Sequence, residues 1–218
     1  MIITIDGPAG SGKSTIADLV AKKLQFIHFN SGALFRGVTA HLLNTNYDIN
    51  SITETSVVPT MDLQVKICNN TQRVLVNDID YTAMLRDNNI STNVAVVATN
   101  INVRNIIDNC QRMFCNSNNV VIEGRDIGSH VFPNAEVKFY LDCDAKERAK
   151  RRFLEEQAKN NNVTLEEILV QILERDKLDK ERKIAPLVVP KNAIIVDSTG
   201  KTIEEVVKEL LENIPKLN

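Results

Sequence analysis

The sequence predicts an α/β protein: a five-stranded parallel sheet flanked by helices, with a small β-rich insert and a short helical lid. Three observations carry this expectation. Short, mostly apolar runs such as Ile2–Ile5 and Val120–Ile122 read as strands covered on both faces. They alternate with stretches of helical periodicity, the signature of a sheet flanked by helices. The first run leads at once into Gly7-x-x-x-x-Gly12-Lys13-Ser14 and a helical pattern, which is strand, phosphate loop and helix.

Each element has its own warrant. Ile16, Leu19, Val20 and Leu24 repeat at helical spacing after the loop. A short strand over Phe26 to Phe29 gives way to Asn30-Ser31-Gly32-Ala33-Leu34-Phe35-Arg36, with Ser31 expected to cap a helix running to about Leu43. Between Val58 and Arg86 the pattern changes. Leu63, Val65 and Ile67 alternate, Asn69 to Gln72 turns, and Val74 to Ile79 runs back, so a hairpin interrupts the βα alternation as an inserted subdomain. Ile90 to Phe114 reads as helix. Val120 to Glu123 reads as a buried strand ending in Gly124-Arg125-Asp126, and Val137 to Leu141 as the next.

Asp144-x-x-Glu147, Thr164-x-x-Glu167 and Thr202-x-x-Glu205 are capping boxes for three more helices. Leu165, Ile168, Leu169, Ile172 and Leu173 are the expected buried stripe of the second. Ile203, Val206, Val207, Leu210 and Leu211 serve the third, and Ala193 to Val196 is the last strand. Asn160-Asn161-Asn162 reads as a loop between helices.

Composition narrows the function classes. At 218 residues and 43% apolar, the chain can bury a core as one domain. A net charge of −2 supplies no global field for nucleic acid or anionic membrane, so neither is an expected partner. No apolar run reaches transmembrane length, and the chain opens on its first core strand, so a cytoplasmic protein without signal peptide is expected. Cys68, Cys110, Cys115 and Cys143 have no C-x-x-C spacing and read as reduced thiols; neither zinc nor disulfide is expected. His28, His41 and His130 lack ligand spacing.

The chemistry is expected at the carboxyl ends of the strands, where open parallel sheets bind ligands. Gly7, Pro8, Ala9, Gly10, Ser11, Gly12, Lys13, Ser14 and Thr15 form an anion nest of backbone N–H groups at a helix N-terminus. Lys13 has the reach for the β- and γ-phosphates of ATP, and the Ser14 hydroxyl for Mg²⁺. Arg36, Arg125 and the basic stretch Arg148 to Arg182 bring guanidinium groups to the same rim, which suits a second phosphorylated substrate. Two readings stay open for some of these residues. Glu123 is either a partner of the Mg²⁺ shell or a structural carboxylate. Arg148, Arg151, Arg152, Arg175 and Arg182 are either phosphate-facing or part of a salt-bridged solvated face, as the alternating signs from Glu174 to Lys183 suggest.

These residues resemble one family across essentially the whole chain: the bacterial cytidylate kinases, nucleoside-monophosphate kinases of the phosphate-loop class. The likeness is carried by Ile5-Asp6-Gly7-Pro8-Ala9-Gly10-Ser11-Gly12-Lys13-Ser14-Thr15, Ser31-Gly32-Ala33-Leu34-Phe35-Arg36 and Gly124-Arg125-Asp126-Ile127-Gly128. Phe132-Pro133-Asn134-Ala135, Glu174-Arg175-Asp176, Ala185-Pro186-Leu187 and Asp197-Ser198-Thr199 complete it. The resemblance implies one domain over residues 1–218, a β insert of the monophosphate-binding region near 58–86 and a lid near 146–182. It implies phosphoryl transfer from ATP, with Mg²⁺, to CMP or dCMP by a monomer.

It further implies that Arg36, Arg125 and Arg182 hold the acceptor's phosphate, with Ser31 beside them. Arg104 and Asp126 would read cytosine, and Arg175 and Asp179 would contact the ribose. Lys13, Arg148, Arg152 and Arg182 would stabilise the transferring phosphoryl group. The chain departs from the family pattern at Asn30, Phe35 and Ala95, where Asp, Tyr and a base-reading Ser are usual. The alternatives are a kinase of another acceptor such as UMP or AMP, or a phosphate-loop ATPase or regulatory module. Neither an Asn-Lys-x-Asp guanine reader nor a Leu-Ser-Gly-Gly-Gln signature is present.

Overall fold

The strands of the central sheet are largely buried, as expected of a sheet flanked by helices, with Thr4 and Asp6 among the buried residues of the first. In the computed structural model, which describes residues 1–69, 71–158 and 163–215, the elements run in the following order. β1 (Ile2–Asp6), α1 (Lys13–Leu24), β2 (Ile27–Asn30) and α2 (Ser31–Asn44) come first. β3 (Leu63–Cys68), β4 (Thr71–Val76), β5 (Ile79–Asp80), α3 (Asn88–Val97) and α4 (Ile101–Asn116) follow. β6 (Val120–Gly124), β7 (Val137–Asp142), α5 (Ala145–Ala158), α6 (Leu165–Glu181), β8 (Ile194–Asp197) and α7 (Ile203–Glu212) complete the chain. The expected five-stranded sheet has the order β2-β6-β1-β7-β8, and β1–β7 and β7–β8 pair in parallel.

The chain divides into two compact units, Met1–Gln25 with Val121–Asn218, and Phe26–Val120. In the first, Ile3, Ile5, Val121, Ile122, Phe139, Leu141 and Val196 are fully buried along the strands. α6 and α7 each open with the complete capping box expected at Thr164 and Thr202. At α5 only half of the expected box forms. Asp144 Oδ1 accepts from the Lys146 and Glu147 amides, but the Asp144 amide donates to Thr199 Oγ1. Of the expected stripe of α6, Ile168 and Ile172 are buried and pack with Ala149, Leu165 and Leu169 are partly buried against them, and Leu173 is exposed.

In the second unit, Asn30 rather than Ser31 caps α2, its side chain accepting from the Ala33 amide at 3.0 Å. Ser31 is instead the first helical residue and is buried. The insert is a three-stranded antiparallel sheet, β3-β4-β5, not a two-strand hairpin. Asn77 and Asp78 both take positive φ and turn the chain between β4 and β5, splitting the expected return strand. The stretch expected as one helix over Ile90 to Phe114 is two, because Asn100 is extended and caps α4 through the Asn102 and Val103 amides. Its side-chain amide also donates to the Thr53 and Ser56 carbonyls. Cys68 is exposed on β3, whereas Cys110, Cys115 and Cys143 are buried. The Asn160 to Asn162 loop and Asn70 of the expected turn lie outside the described residues. No helix among the described residues is long and apolar enough to cross a membrane.

Candidate active site

In the first unit, the loop after β1 can approach β7 only because residue 7 lacks a side chain. A Cβ on Gly7, at φ 153°, would fall 2.2 Å from the Leu141 carbonyl oxygen. The chain then enters α1 through Gly12, and the first turn of α1 holds no acidic residue to offset its positive end. Lys13 is buried, and its Nζ donates to the Pro8 carbonyl at 2.6 Å and to Ser11 Oγ at 3.3 Å. Burial, with the Arg125 charge adding to it, pulls the Lys13 ammonium down to about 7, while Glu123, Asp6 and Asp179 pull it back.

Ser14 Oγ donates to Glu123 Oε1 at 2.5 Å, joining the end of β6 to the start of α1. A hydroxyl and a carboxylate are hard oxygen donors, and Mg²⁺ in such sites takes one or two protein oxygens together with phosphates and water. The pair therefore fits that ion. Among the described residues no cluster of three or more His, Cys, Asp or Glu side chains makes a dedicated metal cage.

Arg148 is almost wholly buried under the loop. Its Nη1 donates to the Ala9 carbonyl at 2.9 Å and its Nε to the Cys143 carbonyl at 2.9 Å. Nη1 and Nη2 also grip both oxygens of Asp176, at 3.2 and 2.6 Å. Arg152, two turns away from the α5 start, is exposed. A second cluster forms around buried Asp179. Arg125 Nε and Arg175 Nε both donate to its Oδ2, at 3.0 and 3.1 Å, and Arg182 Nη1 lies 3.9 Å from its Oδ1. Burial would raise this carboxyl, but the three arginines outweigh it and hold it below the usual carboxylate range. Arg182 also donates to Asp126 Oδ1 at 2.9 Å and to the Ala185 carbonyl at 2.6 Å.

In the second unit Arg36 is half-buried on α2, its Nη1 3.4 Å from where a Cβ of Gly32 would stand. Arg104 on α4 is buried, with its guanidinium 5.3 Å from the centre of the Phe35 ring. Ala95 is half-buried on α3, on the other side of the Asn100 break from Arg104.

Two site residues escaped sequence reasoning. Asp6 is fully buried and its carboxylate accepts from the Ile127 and Gly128 amides at 2.8 and 2.7 Å, tying β1 to the turn that carries Arg125 and Asp126. Burial, with the Asp126 charge adding to it, raises it to about 7 against those two hydrogen bonds. Gly128 cannot carry a side chain there, since its Cβ would meet Thr4 Oγ1 at 2.7 Å. The signal was a carboxylate closing an apolar strand. Asp176 was hidden in the alternating charges of Glu174 to Lys183; it and Asp179 are buried, so that run is not a uniformly solvated face.

A parallel sheet with a phosphate loop after its first strand, and an arginine-rich rim in the same unit, defines a phosphoryl-transfer enzyme of the phosphate-loop class. The family model for cytidylate kinase matches residues 3–216. Curated cytidylate kinases are similar over nearly full lengths. The Carboxydothermus hydrogenoformans protein is 43% identical over 100% of this chain and 99% of its own. The Clostridioides difficile protein is 41% identical over 98% of each, and that of Bacillus subtilis 38% over 97% and 95%. The chain belongs to the cytidylate kinase family and is an ATP-dependent nucleoside-monophosphate kinase. At the level of fold alone, it is similar to TT1252 from Thermus thermophilus, with a TM-score of 0.51 at 14% identity over 99% and 98% of the two chains. An uncharacterized protein from Eubacterium ventriosum gives 0.55 at 12% over 98% of each.

Proposed function

We propose a division of labour by which this chain transfers the γ-phosphoryl group of ATP to CMP or dCMP, giving ADP and CDP or dCDP. The observation that carries it is Lys13, a buried ammonium folded over the phosphate loop, its Nζ donating to the Pro8 carbonyl and the Ser11 hydroxyl. Phosphate oxygens replace those partners, and the backbone N–H groups of Gly7 to Thr15 take the rest of the triphosphate. Ser14 and Glu123 would hold Mg²⁺, which when bound neutralises charge on the β- and γ-phosphates.

An oxygen of the acceptor's phosphate attacks the γ-phosphorus in line as the bond to the β-phosphate oxygen breaks. That oxygen is already anionic, so no general base is required. What the protein supplies is alignment and positive charge. Following the family resemblance, Arg36, Arg125 and Arg182 engage the acceptor's phosphate near Ser31, Arg104 and Asp126 the cytosine, and Arg175 and Asp179 the ribose. Arg152, exposed on α5, is left for the transferring group, together with Arg182. Arg148 acts through the loop, because its donors are spent on Ala9, Cys143 and Asp176. We read the enzyme as a cytoplasmic monomer.

A coupled ADP-release assay with CMP, dCMP, UMP and AMP tests the assignment: CMP and dCMP give the highest specificity constants, and ATP alone turns over slowly. Lys13→Met should fold normally and lose about 10²–10³ in rate. Near-normal turnover in that variant defeats the role given to Lys13.

A further inference from the structure

We propose that Gln72 is a positioning residue for the CMP site, acting through the main chain of Asn30. Asn30 ends β2 in extended geometry, at φ −98° and ψ 102°, so its N–H and C=O point to the same side. The Gln72 side-chain amide meets both. Its Oε1 accepts from the Asn30 amide at 2.7 Å and its Nε2 donates to the Asn30 carbonyl at 3.1 Å. One primary amide thereby stands in for one rung of a β-ladder.

Asn30 is held from two directions, because its own Oδ1 caps α2 at Ala33. Two residues along β4, on the same face, Val74 fits where α2 has Gly37. A Cβ at Gly37 would fall 2.4 Å from Val74 Cγ1, so the Val74 side chain packs directly on the backbone of the helix there. Gln72 and Val74 thus grip the start of α2 and a point two turns along it. Between these grips lie Ser31 and Arg36, and a Cβ at Gly32 would stand 3.2 Å from Asn30 Oδ1 and 3.4 Å from Arg36 Nη1. Releasing Asn30 frees the turn from which Ser31 and Arg36 project, and leaves the phosphate loop untouched. The β insert therefore has a task in catalysis, which is to fix the helix that presents Arg36.

The inference rests on the reading of Arg36 as an acceptor-phosphate contact, so Arg36→Ala accompanies the test. Gln72→Leu removes both hydrogen bonds and should raise KM for CMP about tenfold, with kcat and KM for ATP within about twofold of wild type. Gln72→Glu gives a sharper readout. Protonated, its carboxyl donates and accepts as the amide does; ionised, it presents only acceptors to the Asn30 carbonyl. The KM for CMP relative to wild type, measured at each pH, should therefore stay raised from pH 8 to pH 6 and fall toward one as the pH is lowered toward the ordinary glutamate range of about 4.3, while the Leu variant shows no such trend.

A merely structural role for Gln72 would lower the melting temperature and depress kcat without separating the two KM values, and that result overturns the proposal. So does a KM for CMP within about twofold of wild type in both variants while Arg36→Ala raises it. If Arg36→Ala also leaves it unchanged, the reading of α2 as the acceptor helix falls and the proposal falls with it.

Discussion

ATP binding should take up protons at and above neutral pH, and Lys13 is the main reason. With the Pro8 carbonyl and Ser11 hydroxyl as partners, its ammonium is held at about 7 by burial and the neighbouring Arg125 charge. Phosphate oxygens bring negative charge within contact and return it toward the ordinary lysine range near 10.4. The free enzyme's lysine is then about half protonated at pH 7 and about one-tenth at pH 8, against nearly full protonation in the complex. Lys13 alone accounts for uptake of about 0.5 proton at pH 7 and about 0.9 at pH 8, and almost none at pH 5. Asp6, raised to about 7 by burial, moves in the same direction when phosphate charge arrives, and adds to the total. By linkage the affinity for ATP should weaken about fivefold from pH 7 to pH 8. Titration calorimetry of MgATP in two buffers of different ionisation enthalpy reads the proton count directly. Zero uptake at pH 8, or net release, would refute the reasoning, because the lysine would then be charged in both states.

Two further outcomes follow from the arginines and from α3. Arg152→Ala should lower kcat by about 10²-fold with little change in KM for either substrate, as expected of a donor engaged mainly in the transition state; an effect on KM alone would make it a binding contact. Ala95→Ser adds a hydroxyl at a half-buried position and should raise the ratio of CMP to UMP specificity constants by up to about tenfold, equivalent to about 1.4 kcal/mol. A fall in melting temperature without a change in that ratio would remove residue 95 from the base-reading set.

Strand positions and the phosphate loop were legible because each depends on a local pattern: a run of apolar residues, a glycine spacing, a Thr-x-x-Glu box. What stayed hidden depends on partners distant in sequence. Nothing between Ile90 and Phe114 breaks a helix locally, since neither Pro nor Gly occurs there. The break comes from Asn100, whose amide reaches the carbonyls of Thr53 and Ser56 more than forty residues away. Asn30 and Ser31 are both good caps, and the choice falls on Asn30 because Gln72 holds it extended. Alternating charges on α6 read as solvated until Arg148 and Arg125 meet them from other elements, burying Asp176 and Asp179. In the same way the hydrogen bond from Arg148 to the loop's Ala9 carbonyl depends on geometry that no spacing encodes.

The placement of the four thiols has a practical consequence. Burial pushes Cys110 up to about 11 and Cys115 up to about 12, which leaves both as unreactive thiols at neutral pH, and Cys143 is enclosed as well. Cys68 alone is exposed, at the end of β3 within the insert. A maleimide dye added to the native protein should therefore label one position, giving a fluorescent reporter on the insert without any engineered cysteine, and its emission on adding CMP would follow that element during turnover.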